Sequence, residues 1–288
     1  MKKVFGLVMA LGMAASMAAC GTTGSVAAST DTASSTNETT VATADSAATG
    51  ATAEGSDLAY IKDKGKMVIG YTVYEPMNYT DEQGNFTGFD TELAEATCKV
   101  LGVEPEFVEI NWDTKEVELA GKSIDCIWNG LTIDKDREQQ MSMSNPYVQN
   151  AQVVVMKKDA DYTDTSSLIG KTVVAEMGSA GETTIQGDEN LAQAEYVSKS
   201  VQTDCLMEVK AGTADAAVLD LTLAEAMVGD GTDYADLAIK DKLSVEEYGV
   251  GFRKGSDVCD AVNTAFKTLK DDGTMSALAE KYSLTLAE

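Results

Sequence analysis

The chain of 288 residues contains no histidine, and that one absence removes several chemistries together. A Ser-His-Asp or Cys-His arrangement cannot be built, nor can a zinc site that relies on imidazole. Acid–base work would fall to carboxylates, Lys, Tyr or Cys. Cysteine is sparse and never arranged as CxxC: besides Cys20 there are Cys98, Cys126, Cys205 and Cys259. That spacing suits neither a metal site nor a compact disulfide framework, so mostly buried free thiols are expected, with one bridge left open. Positive charge is short as well. The 22 Lys and Arg face 47 Asp and Glu, a formal net charge of −25 spread along the chain. Without a basic patch to displace counterions, nucleic-acid binding is set aside.

What is present begins at the N-terminus. Lys2 and Lys3 precede an apolar run from Val4 to Leu11 that continues through small residues to Ala19. This is the pattern of a secretory signal over residues 1–19, too short and too rich in glycine and alanine to span a membrane. Met17-Ala18-Ala19-Cys20 resembles the lipobox of bacterial lipoproteins, with Met17 where Leu is usual. The resemblance implies lipidation of Cys20 and a tethered, extracytoplasmic protein. A plain secretory signal that ends by chance at a cysteine is the alternative. Residues 20–56 then consist almost wholly of small, polar and acidic residues without an aromatic. Such a segment buries too little apolar surface to offset its ordering entropy, and reads as a stalk.

Residues 57–288 are long for one domain and comfortable for two. Apolar runs and amphipathic stretches alternate as in an α/β fold. Met67 to Gly70 reads as a buried strand, and Asp81 to Asn85, with Gly84, as a hairpin turn. Asp90 is placed to cap a helix whose Leu93, Thr97, Val100 and Leu101 share a face and which Gly102 stops. Glu106 to Ile110 reads as the next strand. Two passages echo each other: Val117 to Ala120, Gly121 and a strand Ile124 to Trp128, then Met207 to Lys210, Gly212 and a strand Ala214 to Leu219. The echo suggests two similar α/β lobes. Ala151 to Met156 is a candidate crossover strand between them, and a return crossing is expected near Lys242 to Tyr248. Helices Asp257 to Leu269 and Met275 to Tyr282 follow, separated by Asp271-Asp272-Gly273.

Gly88-Phe89-Asp90-Thr91-Glu92-Leu93-Ala94 resembles the GFDxxLA signature of the amino-acid-binding proteins of bacterial ABC importers. Further words follow in the family's order: Ile124-Asp125, Asn129-Gly130-Leu131-Thr132-Ile133, Arg137, Ser144-Asn145-Pro146-Tyr147, Gly170-Lys171, Gly178-Ser179 and Gly249-Val250-Gly251-Phe252-Arg253. The likeness covers essentially all of 57–288. It implies a type 2 periplasmic-binding-protein fold, two-lobed with a ligand cleft between lobes. Lobe 1 would comprise 57–149 and 244–288, and lobe 2 would comprise 150–243.

The same resemblance assigns roles. Arg137 would clamp the ligand carboxylate with its planar fork; the alternative is an ion pair with Asp134 or Glu138. Asn129, the Gly130 backbone and the Thr132 hydroxyl would line the same side. Ser179 and Ala180, at a helix start, would offer backbone N–H groups to the carboxylate. Ala180 stands where the family often has a hydroxyl residue. Asp220 would receive the ammonium, or else cap the helix that follows it. Tyr74 and Trp112 fall where the family sandwiches the ligand side chain, while Trp128 reads as core. Glu75 and Glu176 would add negative charge at the side-chain end, which leans toward a polar or basic amino acid. No cofactor and no metal are implied.

The implied partners are a membrane permease and its ATPase, reached by a monomer that closes about a hinge. A tethered sensor for a receptor is the main alternative function. An enzyme resembling the cyclohexadienyl dehydratases that share this fold is the other; the binding reading is preferred, because neither histidine nor an extra domain is present.

Overall fold

Two periodicities alternate along residues 55–288, which are those that the computed structural model of the protein describes. The expected signal over 1–19, the lipidation at Cys20 and nearly all of the expected stalk lie outside the described residues. Ser56, assigned to the stalk, belongs to the fold. Its hydroxyl accepts from the Ala59 N–H at the start of helix α1 (Asp57–Lys64) and donates to Asp257.

The first arm of the molecule holds strand β1 (Lys66–Tyr71), the hairpin β2 (Tyr79–Thr80) and β3 (Phe86–Thr87), helix α2 (Phe89–Leu101) and strand β4 (Glu104–Glu109). Helix α3 (Lys115–Ala120), strand β5 (Cys126–Thr132), helix α4 (Lys135–Gln140) and strand β6 (Met141–Met143) complete its outward path. The long strand β7 (Val148–Lys157) leads to the second arm. There follow β8 (Thr172–Glu176), α5 (Ala180–Gly187), β9 (Glu195–Lys199), α6 (Gln202–Ala211), β10 (Ala216–Asp220) and α7 (Leu221–Met227). Strand β11 (Leu237–Arg253) returns to the first arm, where helices α8 (Val258–Asp271) and α9 (Thr274–Lys281) end the fold.

Nine strands form one sheet in the order β4-β1-β5-β11-β7-β10-β8-β9, with β6 added to β11, while β2 and β3 pair only with each other. Pairing is parallel within each arm, β4-β1-β5 and β10-β8-β9, and antiparallel through the β11–β7 pair that joins them. Helices cover the parallel arms, so β5 and β10 are buried along their whole length and mostly apolar, with Asn129 and Thr132 in β5 and Asp220 at the end of β10 as polar exceptions. β11 is irregular between Ile239 and Asp241 and between Lys242 and Ser244. An extra residue on one strand bends it locally, and both irregularities fall in the strand that connects the arms. The largest cluster of buried side chains runs through both arms and includes Trp128, Tyr147, Tyr248 and Phe266. Cys98, Cys126, Cys205 and Cys259 are buried and unpaired.

Three sequence expectations need correction. Asp90 does not cap α2: Gly88 occupies the cap position and no side chain caps it there. Asp90 is fully buried, and its Oδ2 accepts from the Gly130 N–H at 2.7 Å and the Tyr147 hydroxyl at 2.9 Å. Val100 does not share the buried face of Leu93 and Thr97 but is exposed, because the face follows Phe89, Asp90, Leu93, Ala94, Thr97 and Cys98. The echoed units also differ in their turns. Gly212 is left-handed (φ 77°), whereas Gly121 is not (φ −75°) and the left-handed residue is Lys122 (φ 61°).

Candidate ligand cleft

The carboxyl ends of β5, β8 and β10 meet between the two arms, the position at which parallel sheets present their loops to ligands. A narrow, nearly closed cleft lies there, lined by Trp112, Asn129, Gly130, Thr132, Arg137, Glu176, Ser179, Ala180, Gln202 and Asp220. Each of these except Gln202 is a residue singled out from the sequence.

On the first arm, α4 begins at Asp134, whose carboxylate caps the N–H groups of Asp136 and Arg137. That cap turns Arg137 inward, where it is only 8% exposed. Its Nη1 donates to the Thr132 carbonyl at 2.8 Å, its Nη2 to the Gly178 carbonyl at 3.3 Å, and its Nε pairs with Asp134 at 3.3 Å. A guanidinium has five N–H donors, so one remains on each terminal nitrogen, the pair that a carboxylate accepts. The Asp134 ion pair thus exists beside a fork that still has donors to offer. Gly130 is left-handed (φ 58°), and a Cβ there would lie 2.7 Å from the Tyr74 ring and 3.2 Å from Tyr248. Only glycine fits. Asn129 lines the cavity by its backbone, since its side chain is saturated. Its Nδ2 donates to the Thr72 carbonyl and Asn78 Oδ1, and its Oδ1 accepts from the Thr72 N–H and hydroxyl.

On the second arm, Ser179 caps α5 by accepting from the Glu182 N–H at 3.2 Å, while Glu182 reaches back to the Gly178 N–H at 2.6 Å. This is close to a capping box. The cap leaves the Ala180 and Gly181 N–H groups of the first turn facing outward from the helix end, where they favour an anion. Asp220 occupies the cap position of α7, yet its side chain caps nothing. Its carboxylate instead accepts from Asn150 Nδ2 and Gln152 Nε2, each at 2.6 Å, and from Gln202. Burial pushes its pKa up against those bonds. Glu176 is 3% exposed and one carboxylate oxygen, Oε1, has no hydrogen-bond partner. Burial, with Asp220 adding repulsion, pushes its pKa up to about 8 against the pull of Lys115 and Arg137.

Two residues stand apart from their expected places. Tyr74 is buried, but it does not line the cavity. Its hydroxyl is shared between Thr222 and Tyr248, and its ring packs on Gly130. Trp112 therefore lines the cavity without Tyr74 as its counterpart. Glu75 lies in a separate groove with Tyr79, Asp81, Met227 and Asp233, and adds no charge to the cleft wall.

Three residues were missed. Gln202, the first residue of α6, grips Asp220 by side chain and backbone N–H. Lys115, only 2% exposed, donates from Nζ to the Trp112 and Gly178 carbonyls, each at 3.0 Å, and sits 4.9 Å from the Trp112 ring. Burial lowers its pKa, and the Arg137 charge lowers it further. Glu246 of β11 accepts from Thr132, Asn150 and Gln152. Its signal was present: in a strand with a period of two, one of the adjacent Glu246 and Glu247 must face inward. A buried lysine leaves no such mark. The cleft is therefore amphoteric, with Arg137 and Lys115 on one side and Glu176, Asp220 and Glu246 on the other. Among the described residues no cluster of His, Cys, Asp or Glu is placed to hold a metal ion.

The sequence matches the bacterial extracellular solute-binding proteins, family 3, over residues 67–285. It is 31% identical to the arginine-binding extracellular protein ArtP of Bacillus subtilis (strain 168), over 76% of this chain and 86% of that one. Similarity to the L-cystine-binding protein TcyJ of Escherichia coli (strain K12) is 30% identity, over 77% of this chain and 84% of the other. Among solved structures, a mutant of ArgBP from T. maritima superposes with a TM-score of 0.73 at 34% identity, covering 78% of this chain and 98% of that one.

Proposed function

Because the chain belongs to family 3 of the bacterial extracellular solute-binding proteins, we propose that it is the lipid-anchored, monomeric binding component of an ABC importer, capturing a polar L-amino acid for the permease. One observation carries the reading: a single narrow cavity sets a guanidinium with two free donors opposite a buried carboxylate. A zwitterion is the small molecule that satisfies both. Its carboxylate meets Arg137 and the first turn of α5, and its ammonium meets Asp220 and Thr132.

The side chain is directed toward Glu176, whose unpartnered oxygen in the wall calls for a donor. That favours a cationic side chain such as that of arginine, the ligand for which ArtP is named, over the disulfide-linked ligand for which TcyJ is named. We take 57–149 with 244–288 as one lobe and 150–243 as the other, closing about the β7–β11 connection. The Gly178 carbonyl receives both Lys115 and Arg137 across the cleft, so bonds between lobes exist for a ligand to reinforce. Ligand shifts the balance only by binding the closed form better than the open one. The relatives reported above are named for binding, and we assign binding, not turnover, to this chain.

A thermal-shift screen of the purified protein against the common amino acids, with Arg137→Ala in parallel, tests the reading. At a ligand concentration about a hundredfold above Kd the parent gains about 2.7 kcal/mol, or about 5–10 °C for a fold of this size. The Arg137→Ala transition is expected to stay where it is. A parent unmoved by every amino acid sinks the proposal.

A further inference from the structure

Glu246 stands where both arms and their connecting strands meet. Its Oε1 accepts from Thr132 Oγ1 at 3.0 Å, Asn150 Nδ2 at 2.7 Å and Gln152 Nε2 at 2.8 Å. Asp220 Oδ1 accepts from the same two amide nitrogens. The two carboxylate oxygens therefore hang on one shared pair of donors, separated by no more than two hydrogen bonds end to end. Around them stand Glu176 at the end of β8, Arg137 of α4, Lys115 of α3, and the phenols Tyr74 and Tyr248, which burial keeps neutral. Arg137 and Lys115 bond to the carbonyls of Thr132, Trp112 and Gly178 and to Asp134 and Glu116, and neither bonds to Asp220 or Glu246. Two close carboxylates with no bonded cation do not both ionise cheaply.

We propose that Asp220 and Glu246 share one proton in the ligand-free cleft and release it when the ligand's ammonium binds, with Glu246 acting as the positioning residue that turns the Thr132 hydroxyl to accept from that ammonium. This rests on reading Asp220 as the ammonium's partner. The carboxylic O–H breaks and its proton passes to water, so the pair goes from one negative charge to two. The incoming ammonium restores the charge of the cleft. Thr132 already donates its hydrogen to Glu246, which leaves its lone pairs free to accept. Burial and the neighbouring Asp220 hold the Glu246 carboxyl at about 7, and the pair titrates as a unit. Below that pH the ligand displaces a proton, so affinity falls toward tenfold per unit as pH drops. Above it the pair is already ionised and affinity is flat.

Glu246→Gln separates charge from shape, because the amide oxygen can still accept all three bonds. Calorimetry in two buffers of different ionisation enthalpy, using the amino acid found by the screen, counts the protons. The parent is expected to release close to one proton per ligand at pH 6 and almost none at pH 8, where the ligand's ammonium is still intact. Its Kd should weaken about five-fold from pH 7 to pH 6 and approach a further tenfold from pH 6 to pH 5. Glu246→Gln should release none and lose that slope, while melting at or above the parent at pH 8. Binding without proton release in the parent at pH 6 overturns the proposal and leaves the amino-acid reading standing. Release that persists in Glu246→Gln but vanishes in Glu176→Gln assigns the proton to Glu176 and overturns it too. If no amino acid binds, the reading of Asp220 fails first and the proposal falls with it.

Discussion

Replacing Asp90 by Ala strips the Gly130 N–H and the Tyr147 hydroxyl of their acceptor inside the core. Each orphaned donor costs about 1–3 kcal/mol, so Asp90→Ala should lower the urea midpoint clearly and loosen the Gly130 backbone that lines the cleft. The GFD word marks this residue, yet its role was not legible. An aspartate ahead of an amphipathic helix looks like a cap, and only the fold shows that it reaches forty positions along the chain to Gly130. Glu176 behaves differently. Glu176→Gln keeps the shape and removes a carboxyl that can ionise against a cationic side chain, so at pH 9, above its value of about 8, affinity for a cationic amino acid should fall by about 1.5–3 kcal/mol, with little change for a neutral one; titration calorimetry on both separates the cases. A similar loss for both ligands would remove Glu176 from side-chain recognition. The placement of Arg137, Thr132, Ser179 and Asp220 around one cavity followed words of recognisable order. Lys115 and Gln202 could not be read, because whether a polar side chain turns inward is decided by packing from elements far away in sequence.

At the scale of elements, the strands that the sequence showed best are those buried on both faces. β10 appears as an apolar run because its parallel arm is covered by helices, whereas antiparallel β7 shows one only from Val153 to Met156, after Gln149, Asn150 and Gln152. β5 starts at Cys126, later than its apolar run, and continues to Thr132 through the polar Asn129, whose side chain is satisfied within the first arm. Helix α3 carries Lys115 to the second arm, and the Lys115 ammonium shares the Gly178 carbonyl with Arg137. Lys115→Met retains most of the stem's packing and deletes one bond between the arms. We expect ligand affinity to drop several-fold with the unfolding transition of the free protein nearly unchanged, as read by Trp fluorescence titration and by melting. A variant that melts early but binds as the parent does would show that Lys115 supports the core and not closure.

Across the whole molecule, the chain has a formal charge of −25, and its cleft also has more carboxylates than cations. Such a field concentrates cationic solutes near the surface and is screened over a Debye length of about 8–10 Å at physiological salt. The association rate of a cationic amino acid should therefore fall as ionic strength rises, while that of a neutral one stays level; stopped-flow mixing at low and high salt checks this. Equal salt dependence would mean that the charge serves solubility alone. The two-armed plan was legible from the repeated helix–glycine–strand unit. The double connection through β7 and β11 was legible as two crossings, but not its bends at Ile239–Asp241 and Lys242–Ser244, since a bulge depends on pairing and not on composition.

That double connection also determines how the molecule carries force. Helix α1 is fastened to the start of α8 through Ser56 and Asp257, and the C-terminal segment is stitched to the root of β7 by Gln149 with Thr285 and Tyr147 with Ala287. Both ends of the described chain are thus moored to the same arm. A pull between residues 55 and 288 would run through α1, α8 and the foot of β7 and bypass the bends in β11, so such tension would leave the second arm free to swing like a gate hung from a post.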